Sequence, residues 1–327
     1  MSRPFAPWRW LDDPATVTTT ADRVLRVEGG GSRNWLNSLL TADLRRVAPG
    51  TAGYALLLTP TGGIVTDAWV VDTGSQRSEA WALVLPAARA ERASEALEKY
   101  LLNEAVTLTL DDTVRVVAIH GARGGELLEG AAGILKAYSC ARLGPIGLDV
   151  WVPTAAVDGV VTRLSAAAYR LGGGAVGALD WSSARVALGV PQMGSDFDEN
   201  LSPHEAGLEG RAVSFAKGCY LGQERVARQQ RQGGLARRLV QLVVEGAERV
   251  AEGSIVCSPG GEEVGRVTSL APASDEYRNV LALAGVTPNF AEPGTRLTVV
   301  ERAAQVRLVI GRSEPSLPPG IGRPPDE

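Results

Sequence analysis

The Gly233-Gly234 pair divides this chain into two kinds of pattern, and that break constrains the fold more than any other feature. Beyond it, Leu239–Val244, Ser254–Cys257, Val264–Val267, Leu281–Ala284 and Leu297–Val300 recur as short strand-like runs. Gly, Pro or Asn stands between most of them, the pattern of a small β-barrel or sandwich. Ahead of the break, strand and helix signals alternate in an α+β arrangement. Val24–Glu28 alternates apolar and polar residues, Gly29-Gly-Gly31 ends it, and Ser32 can cap a helix with Trp35, Leu36, Leu39 and Leu40 at helical spacing. Pro49-Gly50 marks a second boundary.

From Tyr54 the runs 54–58 and 64–71 flank a Pro60-Thr-Gly-Gly63 turn and predict a hairpin. A strand over 80–85 then feeds a helix opened by Pro86, with Ala90, Ala93, Leu97 and Leu101 as its stripe, and a strand follows over 106–110. Val114–Ile119, Gly121 and an Ala/Leu-rich helical segment faintly repeat the pattern at 24–42. A strand at 148–152 leads into a helix from Pro153 to Leu171, stopped by Gly172. Residues 181–213 lack periodicity and are acidic around Asp196, Asp198 and Glu199, which reads as loop. The first 22 residues read as an arm, and the proline-rich 313–327 as a disordered tail.

Hydrophobic residues make up 45% of the chain and charged ones 21%, excluding a disordered chain, and no apolar run approaches the roughly 20 residues that span a bilayer. With Trp and Pro at its start, the chain is expected to be cytoplasmic, and a monomer. Net charge is −4, against a general nucleic-acid footprint. Cys140, Cys219 and Cys257 are widely spaced without a Cys-x-x-Cys, so no disulfide framework or self-contained zinc site follows, and four thiolates for a resident iron–sulfur cluster are not available. No stably bound metal is expected.

Chemistry concentrates in Ser214-Phe-Ala-Lys217-Gly-Cys219-Tyr220-Leu-Gly222-Gln223-Glu224, which sets a thiol beside one of three lysines in a chain with 30 arginines. A cation and a helix N-terminus both favour thiolate; a small buried packing residue is the alternative. Downstream, Arg225, Arg228 and Arg231 recur on one face of a polar helix and, with Arg237 and Arg238, form a basic ridge. Either a solvated face or a wall for a phosphate, a polyglutamate tail or an RNA backbone accounts for it. His204 lies upstream of Cys219, where a Cys–His pair would require spatial contact that sequence does not give.

Lys217-Gly-Cys-Tyr-Leu-Gly-Gln-Glu224, followed by Arg228 and Gly233, resembles the signature of the YgfZ family of folate-binding proteins, relatives of the glycine-cleavage T-protein. Supporting matches are Leu39–Asp43, Tyr54 through Thr59 to Gly62-Gly63 and Asp67, Arg185 to Pro191, and Ser202–Leu208. The resemblance implies a three-lobed ring of ferredoxin-like α+β lobes and a C-terminal β-barrel around a reduced folate. Residues 1–50 and 113–234 would form a discontinuous domain, 51–112 an insertion, and 235–312 the barrel. It implies an accessory factor for assembly or repair of iron–sulfur clusters, not an aminomethyltransferase. Its partners would be iron–sulfur client proteins or cluster carriers, with tRNA-modifying enzymes among the clients and tRNA as a further partner. Cys219 would be the essential thiol, with Lys217 favouring thiolate and Tyr220, Gln223 and Glu224 shaping the site. Arg228, Glu205, Arg185 and Asp180 would hold tetrahydrofolate or a derivative. The family's Arg-x-Glu-x-Gly reads Arg185-Val-Ala187-Leu-Gly189 here, removing a carboxylate expected on the pterin. The alternative is a tetrahydrofolate-dependent aminomethyl or methyl transferase of the T-protein type.

Overall fold

A computed structural model describes residues 8–75, 78–246, 249–272 and 279–312; the expected disordered tail lies outside them. In chain order the elements are β1 (Thr16–Thr19), β2 (Asp22–Glu28), α1 (Ser32–Leu39), β3 (Ala52–Leu58), β4 (Ile64–Asp72), β5 (Ala80–Pro86), α2 (Ala90–Glu98), β6 (Thr107–Asp111) and β7 (Val114–His120). Then come β8 (Lys136–Ser139), β9 (Gly147–Pro153), α3 (Val157–Arg170), β10 (Gly174–Ala175), α4 (Ala178–Leu188), α5 (Glu209–Ala212) and α6 (Gln223–Gln232). The last six strands are β11 (Arg238–Val244), β12 (Ile255–Cys257), β13 (Glu263–Ala271), β14 (Val280–Val286), β15 (Arg296–Val299) and β16 (Arg302–Val309).

Three sheets organise these elements. The first is five-stranded in the order β3-β4-β5-β2-β6; the second is β10-β1-β7-β9-β8; the third closes as a barrel, β11-β14-β13-β12-β15-β16. β2 pairs with both β5 and β6, so the strand Asp22–Glu28 lies in one sheet with strands of 51–112, the segment expected to be an insertion. The reason is register: alternating Val24, Leu25 and Val27 fill a central strand whose two edges are completed only by chain from the supposed insertion.

The first sheet buries both faces. One carries Leu25, Val27, Leu57 and Val70 under α1 and α2, with Leu36, Ala90, Ala93 and Leu97 in the same core. The other sets Val24, Trp69 and Val84 against Val116, Tyr138 and Trp151 of the second sheet. At roughly 25 cal/mol per Å2 of apolar surface, such two-sided burial outweighs any single polar contact.

Several local readings are corrected. Ser32 does not cap α1: Gly31, at φ +86°, precedes it, its N–H donating to Glu79 Oε2 at 2.7 Å, while the Ser32 hydroxyl is buried without a hydrogen-bond partner. The Ala/Leu-rich run after Gly121 makes only a 3-10 turn, Gly124–Leu128, because Gly125, Gly130 and Gly133 interrupt it, so the internal repeat does not extend into structure. The N-terminal arm is anchored, with Trp8 fully buried and β1 entering the second sheet. Most consequential is α4, in the segment read as loop. Residues 183–188 are all buried, so the helix shows no polar face and no 3.6-residue period. It packs Ala184, Val186, Ala187 and Leu188 against Leu239, Leu281, Leu283, Leu308 and Ile310 on the outside of the barrel. Gln241 of β11 donates to the α4 carbonyls of Val186 and Ala187, fastening the seam.

Candidate functional site

A cavity of about 600 Å3 opens where the three sheets meet, lined by Thr18–Asp22, by the β4 face, by α4 and residues 190–195, and by Glu252 of the barrel. The hairpin supplies its chemistry. Tyr54 lies opposite Trp69 in the β3–β4 register, and Asp67 precedes Trp69 by two residues, so all three project from one face. The Tyr54 hydroxyl donates to Asp67 Oδ2 at 2.8 Å, while Asp67 Oδ1 is buried without a hydrogen-bond partner. Burial raises the Asp67 carboxyl above its usual range, the Tyr54 hydrogen bond opposes that, and nearby Asp22 adds to it. Burial also raises the Tyr54 phenol.

Arg142 and Arg211 supply the positive charge. Arg142 makes a two-pronged pair with Asp149, at 2.6 and 2.8 Å, and reaches Asp22 at 2.7 Å. Burial raises Asp22 despite that partner. Arg211 lies over the Tyr54 and Trp69 rings at 4.9 and 5.5 Å and donates to the carbonyls of Ala141 and Arg142. On the opposite wall Trp181 stacks on Trp10 at 5.5 Å. Aromatic walls, a carboxyl that keeps its proton to higher pH than usual, and a guanidinium at the rim suit a flat, partly anionic heteroaromatic ligand.

The expected ligand residues do not converge here. Arg185 reaches the wall, but its guanidinium is committed to Asp196 Oδ2 at 2.6 Å and to the Ser269 hydroxyl of β13 at 2.7 Å. Asp180 is exposed, and its backbone carbonyl accepts from Trp10. Glu205 is buried elsewhere, accepting from the Ser202 N–H and hydroxyl, Arg225 and the Ala236 N–H. Burial alone would raise its carboxyl; those hydrogen bonds and the Arg225 charge hold it below the usual range. Arg228 is exposed on α6. Ala187 is fully buried in the seam against the barrel and does not line the cavity.

The signature residues build a separate feature. Lys217 Nζ donates to the carbonyls of Asn37, Leu40 and Ala42 at 2.6–2.7 Å, satisfying acceptors freed where α1 ends. Burial pushes its amine down to about 8, which leaves it protonated at neutral pH, and Asp43 opposes the shift. All three N–H donors are therefore spent on backbone. Gly222, at φ +77°, sits where a Cβ would come within 2.5 Å of the Thr59 carbonyl, so only glycine turns the loop into α6. Between these pins Cys219 is exposed, whereas Cys140 is buried. Tyr220 carries Lys217 over its ring at 5.4 Å, its phenol pushed up to about 12 by burial. Gln223 Oε1 accepts the Tyr220 N–H at 3.3 Å, and Glu224 is exposed in the first turn of α6. His204 bonds Gln230, not the thiol. The basic ridge is broken, because Arg225 pairs with Glu205 at 2.9 Å; Arg228 and Arg231 remain exposed.

Sequence reasoning picked out Tyr54 and Asp67 without giving them a role, and missed Asp22, Trp69, Arg142, Trp181 and Arg211. The available signal was an aspartate within a largely apolar strand, two residues before a tryptophan. No group of His, Cys, Asp and Glu able to hold a metal ion occurs among the described residues, and no helix there is long and apolar enough to cross a membrane.

Two antiparallel-rich α+β lobes and a closed six-stranded barrel meeting at a carboxyl-bearing cavity define a recognisable class of three-lobed protein. Residues 19–217 match the GCVT N-terminal domain and residues 237–313 the glycine cleavage T-protein C-terminal barrel domain. The chain belongs to the glycine-cleavage T-protein family. An aminomethyltransferase of Synechococcus sp. (strain CC9311) is 30% identical over 302 residues, covering 84% of this chain and 80% of that protein. Another from Herpetosiphon aurantiacus is 25% identical over 306 residues, covering 87% and 81%. The crystal structure of the glycine cleavage system aminomethyltransferase T from Bartonella henselae superposes with a TM-score of 0.81 at 17% identity, covering 95% of this chain and 90% of that one. That structural likeness concerns the fold.

Proposed function

We propose that the three-lobe cavity binds a reduced folate and that the protein performs one-carbon transfer of the aminomethyltransferase type, with Asp67 as the acid/base group. The observation that carries this reading is the Asp67–Tyr54 pair: a carboxyl with one oxygen fixed by a phenol, the other free, and burial favouring its protonated form. Trp69 and Trp181 would receive the pterin, and Arg211 stands at the rim for negative charge. The relatives' activity supports the reading. Its test is titration with tetrahydrofolate followed by tryptophan fluorescence, joined to an assay for aminomethyl transfer. Wild type should bind and turn over. Asp67→Asn should keep binding and lose about 10²-fold or more in rate, within the usual range for a general acid/base. Turnover at the wild-type rate in Asp67→Asn would overturn the assignment.

A second reading, support for iron–sulfur client proteins through Cys219, is favoured by the exposed thiol on a loop pinned at Lys217 and Gly222 and by the Lys217–Glu224 signature. Complementation of a maturation-deficient strain separates the two. Rescue by wild type and failure of Cys219→Ala would support maturation; equal rescue by Cys219→Ala would reject it.

A further inference from the structure

A second cavity, of about 420 Å3, lies where Gly233 and Gly234 carry the chain from α6 towards β11. Its other side is the turn around Asn289, and Arg312 after the last strand. It shares no lining residue with the three-lobe cavity.

Two guanidiniums line it, and neither is well used. The Arg238 side chain is only 13% exposed, yet its nearest carboxylate oxygen, on Glu209, stands at 3.7 Å. Arg312 approaches Glu292 no closer than 3.6 Å. Both distances exceed a hydrogen bond. Arg238 Nη1 is buried and has no hydrogen-bond partner, and Glu209 Oε2 behind it shares that condition. Burial depresses the Arg238 pKa from its ordinary value, and the charge of Arg312 depresses it further, against the opposing charges of Glu209 and Glu292. A buried guanidinium N–H without an acceptor is a costly arrangement, and a second like charge at the same cavity adds to the cost.

One kind of occupant relieves both. An oxyanion with two acceptor oxygens would take the unsatisfied Arg238 donor, bridge to Arg312 and cancel their repulsion. The cavity is open for it, since a Cβ built on Gly233 or Gly234 would meet nothing within 4 Å. Thr287 and Asn289 add neutral polar groups to the lining. Glu209 and Glu292 set the limit: with one carboxylate near each arginine the site suits a singly charged group better than a highly charged one.

We propose that this cavity at the glycine hinge is an oxyanion site, taking a phosphate or carboxylate group between Arg238 and Arg312. An occupant there joins the α6 hinge to the barrel, independently of anything bound against Asp67.

The full chain is titrated by calorimetry with inorganic phosphate and, separately, with L-glutamate, chloride holding ionic strength constant. Saturable binding of at least one is expected, weakened at least tenfold in Arg238→Met and in Arg312→Gln. Binding of phosphate alone assigns a phosphate-bearing ligand, and of glutamate alone a carboxylate-bearing one. Arg312 lies with its side chain 52% exposed, so Arg312→Gln tests the site even where Arg238→Met fails to fold. Lack of saturable binding by wild type, or unchanged affinity in Arg312→Gln, overturns the proposal.

Discussion

Replacing Lys217 with methionine separates two meanings of the same residue. The ammonium donates to three backbone carbonyls at the end of α1. Charge-assisted hydrogen bonds contribute about 1.5–3 kcal/mol each, so the gross loss is about 5–9 kcal/mol. Against this stands the cost of burying the charge. A drop from 10.5 to about 8 corresponds, at 1.36 kcal/mol per unit and discounted for solvent screening, to about 2–3 kcal/mol that methionine does not incur. Water recovers part of the freed carbonyls, leaving a net destabilisation of about 2–4 kcal/mol. With a urea slope of about 2 kcal/mol/M, the midpoint of the first unfolding transition should fall by about 1–2 M. Circular dichroism in urea measures that. In parallel, the rate of Cys219 modification by a disulfide reagent is followed against pH in a Cys257→Ser background. The expected result is a lower midpoint with the pH profile of the thiol unchanged. An unchanged midpoint with thiol reactivity at neutral pH reduced more than tenfold would refute the staple and make Lys217 a thiol activator.

Three further predictions follow from the same geometry. Arg185→Met strips Asp196 of its buried cation and should cost about 3–5 kcal/mol, seen as a lowered thermal midpoint; a loss under 1 kcal/mol would mean that the pair contributes little to the seam. Gly222→Ala meets both a left-handed φ of +77° and the Thr59 carbonyl at 2.5 Å, so it should destabilise by about 2 kcal/mol or more, whereas Gly218→Ala, with open space, should do much less. Glu205 has a folded-state pKa below its unfolded value, so its contribution is complete above about pH 4.5 and is lost as pH falls through the lower value. The difference in stability between wild type and Glu205→Gln should accordingly shrink on acidification below pH 4.5, and a difference that grew would contradict the assignment.

Much of the fold was legible in the sequence, and particular residues show why. The β3–β4 hairpin and the barrel strands announce themselves because each is a short apolar run bounded by turn residues. α4 did not, because its C-terminal part, Ser183–Leu188, is buried throughout and carries no periodic contrast, and its place between lobe and barrel is a tertiary fact. The membership of β2 in the first sheet was equally hidden, since strand partners distant in sequence leave no local mark. Site chemistry was legible where it was contiguous. The Lys217–Glu224 signature drew attention at once, but its lysine and second glycine hold the loop in place, which only atomic contacts reveal. The cavity at Asp67 draws on β1, β4, α4 and the barrel, so no single stretch displays it.

The seam between α4 and the barrel has a bearing on how ligand occupancy would be recorded in solution. Since residues of the first two sheets, of α4 and of the barrel's Glu252 loop line one cavity, that cavity is complete only in molecules whose lobes are docked. A ligand there would select against every partly undocked form, stabilising the docked one in proportion to RT ln(1 + [L]/Kd). Protease susceptibility at the connection between α6 and β11 would then serve as a gauge of cavity occupancy, although the cleavage point lies outside the cavity itself.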